Sequence, residues 1–414
     1  MKKIGYVLLC CTFLCGCVMP GNIDRDTVLS DTKLVTESFL PTKKETEETK
    51  IQQTAQEESE KIQTAGAFTD EVKAEWMRKQ QDLYGFSMLE ITQQNVYVEI
   101  LYGLENYVEE MEISTKDTAE IDKIFQYVLM DHPEIFYVDG YSFVKYTLGD
   151  EVKKITFKGT YLYSQEEKEK LEILIQEAAE EFLKGISKEA DDYEKVKYVY
   201  ETVITNTEYD MQAEDNQNIC SVFLNGASVC QGYAKAVQYL LMELDIPSTL
   251  VIGTVENGEG HAWNLVKVNN QYYYLDATWG DASYLIHLQE DDMIQNTPAI
   301  NYDYLCVTTE EILRTHSFGE LISLPQCNAK EDNYYVREGA YFTEVDYEQL
   351  KQLIENYRDK QREYITLRCS NDEVYRQMTE ELLNKQKIFR YLEGENNSIF
   401  YTDSPKQLSI TFWL

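Results

Sequence analysis

The stretch "GASVCQGYAKAVQYLLMEL", residues 226–244, sets a cysteine between a turn and the start of a long apolar segment. Ser228 followed by Gln231 fits an N-cap and its third helical residue, a reciprocal capping box. In that register Cys230 occupies the second helical position, where unpaired amides and the positive end of the helix favour a thiolate. Ala234, Val237, Tyr239 to Leu241 and Leu244 form an apolar stripe that can bury the helix and fix its first turn. A thiol in this place can be a nucleophile or a small buried hydrophobe, and the segment alone leaves both readings open.

Two later segments bear on that choice. "HAWNLVKVNNQYYYLDATW", residues 261–279, reads as two extended runs joined at Asn269-Asn270, side chains that tolerate the left-handed conformation of a tight hairpin. With those two residues as the loop, Val268 faces Gln271, and counting outward sets Trp263 opposite Asp276. His261 is then diagonal to Asp276 on the same face, a separation that twist or a small register adjustment can close. This pattern predicts Cys230 as nucleophile, His261 as the base that takes the thiol proton and later protonates an amine leaving group, and Asp276 as the group that orients the ring. Backbone amides near Cys230 are the natural site for a developing oxyanion.

The three motifs "VCQGYA", "GHAWN" and "YYLDATWGD" resemble, in order and spacing, the Cys, His and Asp motifs of the transglutaminase-like superfamily, particularly its bacterial secreted branch. The resemblance covers roughly residues 188–320, and "DHPEIFYVDGYSF" and "YDYLCVTTEEILRTHS" look like companions of the same branch. It implies a papain-like core, with Cys230, His261 and Asp276 in the roles above, and attack on an amide through a thioester that is passed to water or an amine. Where animal transglutaminases carry tryptophan after the cysteine this chain has Gln231, so the oxyanion donor is not carried over. Neither is a calcium requirement, since no calcium-loop pattern occurs. The expected fold is α+β, with a helical layer holding the Cys230 helix against an antiparallel sheet and smaller α+β regions on either side.

Among neighbouring residues, Tyr233, Trp263 and Trp279, with Tyr272 to Tyr274, are read as cleft walls or packing, Gln231 as a possible site contact, and Asn264 as a supporting hydrogen-bond donor on the opposite strand face. Of the other histidines, His132 before Pro133 reads as a helix end and His287 as surface or packing. His316 also reads as packing, although a returning segment could bring it towards the centre. A metal site would have to combine His261 and Asp276 with another histidine or Cys306. It lacks compact ligand spacing, so no cofactor or metal is expected. No glycine-rich phosphate loop is present.

The chain has 414 residues, enough for two or three domains. Its formal charge of −35, from 73 acidic and 38 basic side chains, repels phosphate backbones and makes nucleic acid an unsuitable partner. "MKKIGYVLLCCTFLCGC" reads as a short secretory signal ending in a lipoprotein-type box, with Cys17 the lipidation site. The expected organisation is a signal at 1–16, a polar stalk at 17–70, an α+β region at 71–187, the catalytic region at 188–328 and a small α+β region at 329–414. A lipid anchor would be the membrane's only contact, placing the chain outside the cytoplasmic membrane of a Gram-positive cell. Five cysteines follow Cys17, too few and too scattered for a disulfide framework. The expected substrate is a peptide, a protein or a cell-wall peptide; the alternative is a surface binding module on the same fold that no longer turns over. Sequence leaves the oligomeric state open.

Overall fold

A computed structural model describes residues 48–51, 68–148, 151–281, 299–391 and 398–413. The expected signal, Cys17, most of the stalk and His287 lie outside the described residues. Among the described residues, no helix is long and apolar enough to cross a membrane.

The fold is α+β, with antiparallel pairing dominant in three four-stranded sheets. The first sheet takes β1 (Glu48–Ile51), β2 (Met111–Ile113), β3 (Val138–Leu148) and β4 (Glu151–Tyr161) in the order β1-β3-β4-β2. Helices α1 (Asp70–Lys79), α2 (Ile91–Glu105), α3 (Thr118–Asp131) and α4 (Gln165–Phe182) accompany it. The expected break near Pro133 is present, since α3 stops at Asp131 with His132 as its C-cap. The Ser164–Glu167 box also forms and starts α4.

The central part begins with α5 (Asp192–Asn206) and a short parallel pair, β5 (Glu208–Tyr209) with β6 (Ala227–Ser228). Next come α6 (Cys230–Glu243), β7 (Ser248–Val255), β8 (Gly260–Val268), β9 (Gln271–Leu275), the single turn α7 (Ala277–Gly280) and β10 (His316–Phe318). Their sheet runs β10-β7-β8-β9, every pairing antiparallel. The Asn269-Asn270 reading holds: both residues have positive φ, 49° and 64°, and Val268 pairs with Gln271. A matched turn fixes the register, and with it the face on which each later side chain stands.

The last sheet, in the order β11-β12-β14-β13, comprises β11 (Tyr341–Phe342), β12 (Tyr364–Cys369), β13 (Tyr401–Ser404) and β14 (Ser409–Trp413), accompanied by α8 (Tyr347–Asp359) and α9 (Asp372–Thr379). Buried apolar side chains from all three sheets join in one contiguous cluster, running from Phe86 to Phe412. A second cluster, built on Val251, Trp263, Leu265 and Tyr274, lies on the sheet face that carries His261. The five cysteines after Cys17 are all free and buried.

Candidate active site

The helix that carries Cys230 starts one residue later than its sequence suggests. Val229 is the N-cap, extended and without a side-chain cap, so Cys230 is the first helical residue rather than the second. The Ser228–Gln231 capping box does not form. Ser228 lies in β6, and its hydroxyl is taken by the Asn216 carbonyl at 3.0 Å and Ser221 Oγ at 2.6 Å. These bonds tie the loop before the helix to the preceding turn, the stabilising task a cap would otherwise perform. Gly232 completes the packing: a Cβ there would lie 1.9 Å from Ser228 Oγ, so the close approach of turn and helix requires glycine.

Helix α6 lies against β8, and Asn264 Nδ2 donates to the Ala234 carbonyl at 2.9 Å. Asn264 therefore fastens strand to helix, as its position on the face opposite His261 suggested. His261, the second residue of β8, is 4 % exposed. Its Nε2 lies 2.7 Å from Asp276 Oδ2, and the Cys230 side chain is close enough to raise the pKa of the ring. Since Nε2 is given to the carboxylate, Nδ1 is the nitrogen left for the thiol. The three residues read from sequence thus lie together: the imidazole is hydrogen-bonded to Asp276 and has Cys230 beside it.

Asp276 is fully buried and caps α7: Oδ1 accepts from Thr278 N at 2.9 Å and Trp279 N at 3.1 Å. Burial raises the pKa of its carboxyl, but the charge and hydrogen bond of His261, with those of His316, outweigh burial and hold it far below the usual carboxylate range. For His261 burial again opposes the charged form, while the Asp276 charge and hydrogen bond, and the bond to Cys230, raise the imidazole to about 10. The arrangement therefore favours an imidazolium beside an ionised aspartate.

The remaining candidates divide by exposure. Trp263 and Tyr233 are wholly buried, which places them with packing, one of the two alternatives read from sequence. Trp263 stacks beside His261 with ring centroids 5.9 Å apart, and the single Tyr233 hydroxyl proton is shared between the Thr207 carbonyl and Asp281 Oδ2, both within hydrogen-bond distance. Tyr273 and Tyr274 are likewise buried, whereas Trp279 and Tyr272 keep partial access to solvent. Gln231 is 1 % exposed, and its Oε1, like Nε1 of Trp263 and Trp279, has no partner among the described residues.

His316, read as packing with an approach to the centre left open, makes that approach. His316 Nε2 lies 3.0 Å from Asp276 Oδ2, the same oxygen that binds His261. His261, Asp276 and His316 present ligand atoms within 4.8 Å of one another, a spacing a metal ion would accept, whereas Cys306 is not among them. Two imidazole donors on one carboxylate account for the same spacing by hydrogen bonding. Nothing local in "RTHSFGE" marks His316, because the contact depends on a pairing between β10 and β7 more than fifty residues apart in the chain.

Residues 180–277 match the family model described as "Transglutaminase-like superfamily", a span that contains Cys230, His261 and Asp276 and stops short of His316. No curated protein matches the chain. Among solved structures it is similar to a TGase at 15% identity, covering 34% of this chain and 50% of that one, TM-score 0.25. It is also similar to a candidate cysteine protease of Cytophaga hutchinsonii at 18% identity, covering 30% and 51%, TM-score 0.23. The periplasmic domain of TgpA from Pseudomonas aeruginosa matches at 17% identity, covering 27% and 44%, TM-score 0.20. The chain thus spans about half the length of the first two of these structures.

Proposed function

We propose that the chain is a cysteine enzyme that cleaves or transfers the acyl group of an amide in a peptide or protein. The observation that carries this reading is a buried His261–Asp276 hydrogen bond with the Cys230 side chain beside the imidazole. In the first step the proton shared between Cys230 and His261 rests on Nδ1, as the imidazolium requires, and the Cys230 sulfur adds to the amide carbonyl carbon. Collapse of the tetrahedral adduct breaks the C–N bond, the departing nitrogen takes the proton from Nδ1, and a thioester remains. Water or an amine then attacks the thioester carbon and returns one proton through His261 to the sulfur. Throughout, Asp276 keeps Nε2–H engaged and balances the imidazolium.

A second reading, a binding module that no longer turns over, draws on the burial of the thiol, since Cys230 is only 5 % exposed. Iodoacetamide labelling separates the two. An enzyme labels at Cys230 far faster than at Cys220, Cys306, Cys327 or Cys369, and loses that preference in His261→Gln. Equal, slow labelling of all five, with no product from peptide or amine substrates, supports the inactive module.

Location belongs to the same proposal. The opening "MKKIGYVLLCCTFLCGC" supports a lipid-anchored chain on the outer side of a cytoplasmic membrane, within reach of cell-wall peptides. Incorporation of labelled palmitate that disappears in Cys17→Ala tests it; retention of label in that variant rejects it.

A further inference from the structure

The strand register carries one relation beyond the three motif residues. His261 pairs with Gly253, and Phe318 pairs with Gly253 from the other side. Two residues further along β7, Val255 pairs with His316. Because alternate strand residues share a face, His261, Gly253, Phe318, Val255 and His316 all stand on one face of the sheet. Gly253 is the gap that lets the two histidines converge: a Cβ there would lie 2.7 Å from Trp263 Cη2 and 2.0 Å from the Ser317 carbonyl oxygen. The Trp263 indole fills that gap instead, 5.0 Å from the His316 ring, and Trp279 covers His316 from another side at 4.9 Å.

His316 is itself held. Its Nδ1 lies 2.8 Å from Thr315 Oγ1, and Thr315 Oγ1 receives Gln407 Nε2 at 3.3 Å. Gln407 stands in the connection between β13 and β14, where its Nε2 also donates to Tyr304 Oη at 3.0 Å and its Oε1 accepts from buried Arg368 at 3.1 Å. A chain of hydrogen bonds therefore runs from the C-terminal sheet to Asp276.

We propose that His316 is a positioning residue of the active site: a neutral imidazole that donates Nε2–H to Asp276 Oδ2 and accepts at Nδ1 from Thr315, so that the C-terminal sheet braces the carboxylate that orients His261. The proposal rests on the reading of Cys230, His261 and Asp276 as the reacting group. Burial favours the neutral ring, the hydrogen bond and charge of Asp276 oppose burial, and the neighbouring His261 imidazolium adds to it, with the result that the His316 pKa lies below the ordinary value. The other titratable groups facing Asp276 are Tyr200 from α5 and Tyr304, phenols whose pKa burial raises further. Behind Thr315 stand Arg368, Asp303 and Glu311, and Glu259 faces His261. The two imidazoles thus keep Asp276 ionised well into acid solution.

The test is the pH profile of Cys230 alkylation by iodoacetamide in the full chain, read by mass spectrometry. His316→Phe removes the donor and keeps the ring volume; labelling at neutral pH is expected to fall at least about tenfold. The acid limb of its profile moves to higher pH, because an aspartate with one fewer donor is protonated more easily. His316→Gln, which returns an N–H donor, recovers most of the rate. Thr315→Val, which spares the imidazole and removes its Nδ1 partner, gives an intermediate rate and provides the test should His316→Phe fail to fold. His316→Phe with wild-type rate and profile, while His261→Gln is unreactive, overturns the proposal and leaves the nucleophile reading standing. Wild-type labelling in His261→Gln overturns the nucleophile reading itself. A stoichiometric zinc ion in the purified protein, lost in His316→Gln, also overturns the proposal by replacing the hydrogen bonds with a metal site.

Discussion

Replacing Asp276 by asparagine exchanges one carboxylate oxygen for an NH2 group and changes the volume hardly at all. The Asn carbonyl can keep accepting from Thr278 N and Trp279 N, so the α7 turn survives. Its amide group then points two hydrogens at the nitrogens of His261 and His316 that had been donating. His316 can answer by moving its proton to Nδ1, which faces Thr315 Oγ1. His261 can answer only by placing its proton on Nδ1, facing Cys230, which abolishes its capacity to accept from the thiol. In the native site the rise of His261 from 6.5 to about 10 amounts to roughly 5 kcal/mol of preference for the imidazolium. Burial opposes that preference and Asp276 is the largest contribution in its favour, so removing the charge leaves a ring that burial keeps neutral. Cys230 alkylation at neutral pH should fall by about a hundredfold or more, and turnover of any substrate by as much as about ten-thousandfold, the size of effect seen when a triad carboxylate becomes an amide. Urea unfolding of Asp276→Asn should show a loss of only about 1–3 kcal/mol, the cost of mismatched buried partners. Asp276→Ala, which also strips the cap, should lose about 3–5 kcal/mol. Wild-type alkylation by Asp276→Asn, with its fold intact, refutes the orienting role.

Further expectations concern the supports of the site. Lys235, on α6, is buried without a hydrogen-bond partner or ion pair among the described residues, and burial lowers its pKa to about 8. The unfolded chain binds that proton more readily, so Lys235→Met should stabilise the fold by roughly 3 kcal/mol at neutral pH. The gain should shrink between pH 8 and 10.5; a loss of stability at pH 7 contradicts the assignment. His261 has the opposite sign: its folded pKa lies above the unfolded value, so its contribution is complete below pH 6.5 and is lost as pH rises to about 10. The difference in unfolding free energy between wild type and His261→Gln should narrow over that range, and a constant difference counts against an imidazolium in the fold. Gly232→Ala forces a methyl onto Ser228 Oγ and should cost about 1–3 kcal/mol in thermal or urea unfolding. An unchanged melting temperature would show that turn and helix can separate freely.

What the sequence disclosed and what it concealed follow from range. The Asn269-Asn270 turn is a local signal, and a turn of known length fixes the pairing of the strands it joins; hence the diagonal of His261 and Asp276 is countable along the chain. The Ser164–Glu167 box that starts α4 is equally local and forms. The Ser228 box obeyed the same pattern and failed, because two groups from elsewhere in the fold, Ser221 Oγ and the Asn216 carbonyl, compete for its hydroxyl. Aromatic residues beside the motifs carried no mark to separate wall from core, and Trp263 proved to be core because Gly253 across the strand leaves it room. His316 was concealed for the most basic reason: its partner strand is fixed by sheet assembly, to which periodicity along the chain is blind.

A carboxylate offers about four lone-pair positions, and all four on Asp276 are used. Oδ1 takes two backbone amides of the turn that follows β9, while Oδ2 takes one imidazole from β8 and another from β10. Such saturation answers the energetic objection to a buried charge, since an ionised group is tolerated away from water only when its hydrogen-bonding capacity is met. It also restricts motion. Rotating the carboxylate to follow a moving histidine would break at least one amide bond, so the His261 ring has a single low-energy orientation and the proton on Nε2 has nowhere to go. The mobile partners that remain are the proton between Nδ1 and sulfur and whatever binds at Cys230. A site built in this way leaves freedom only at the first residue of one helix, and it draws that rigidity from three strands and a turn rather than from the motif segments alone.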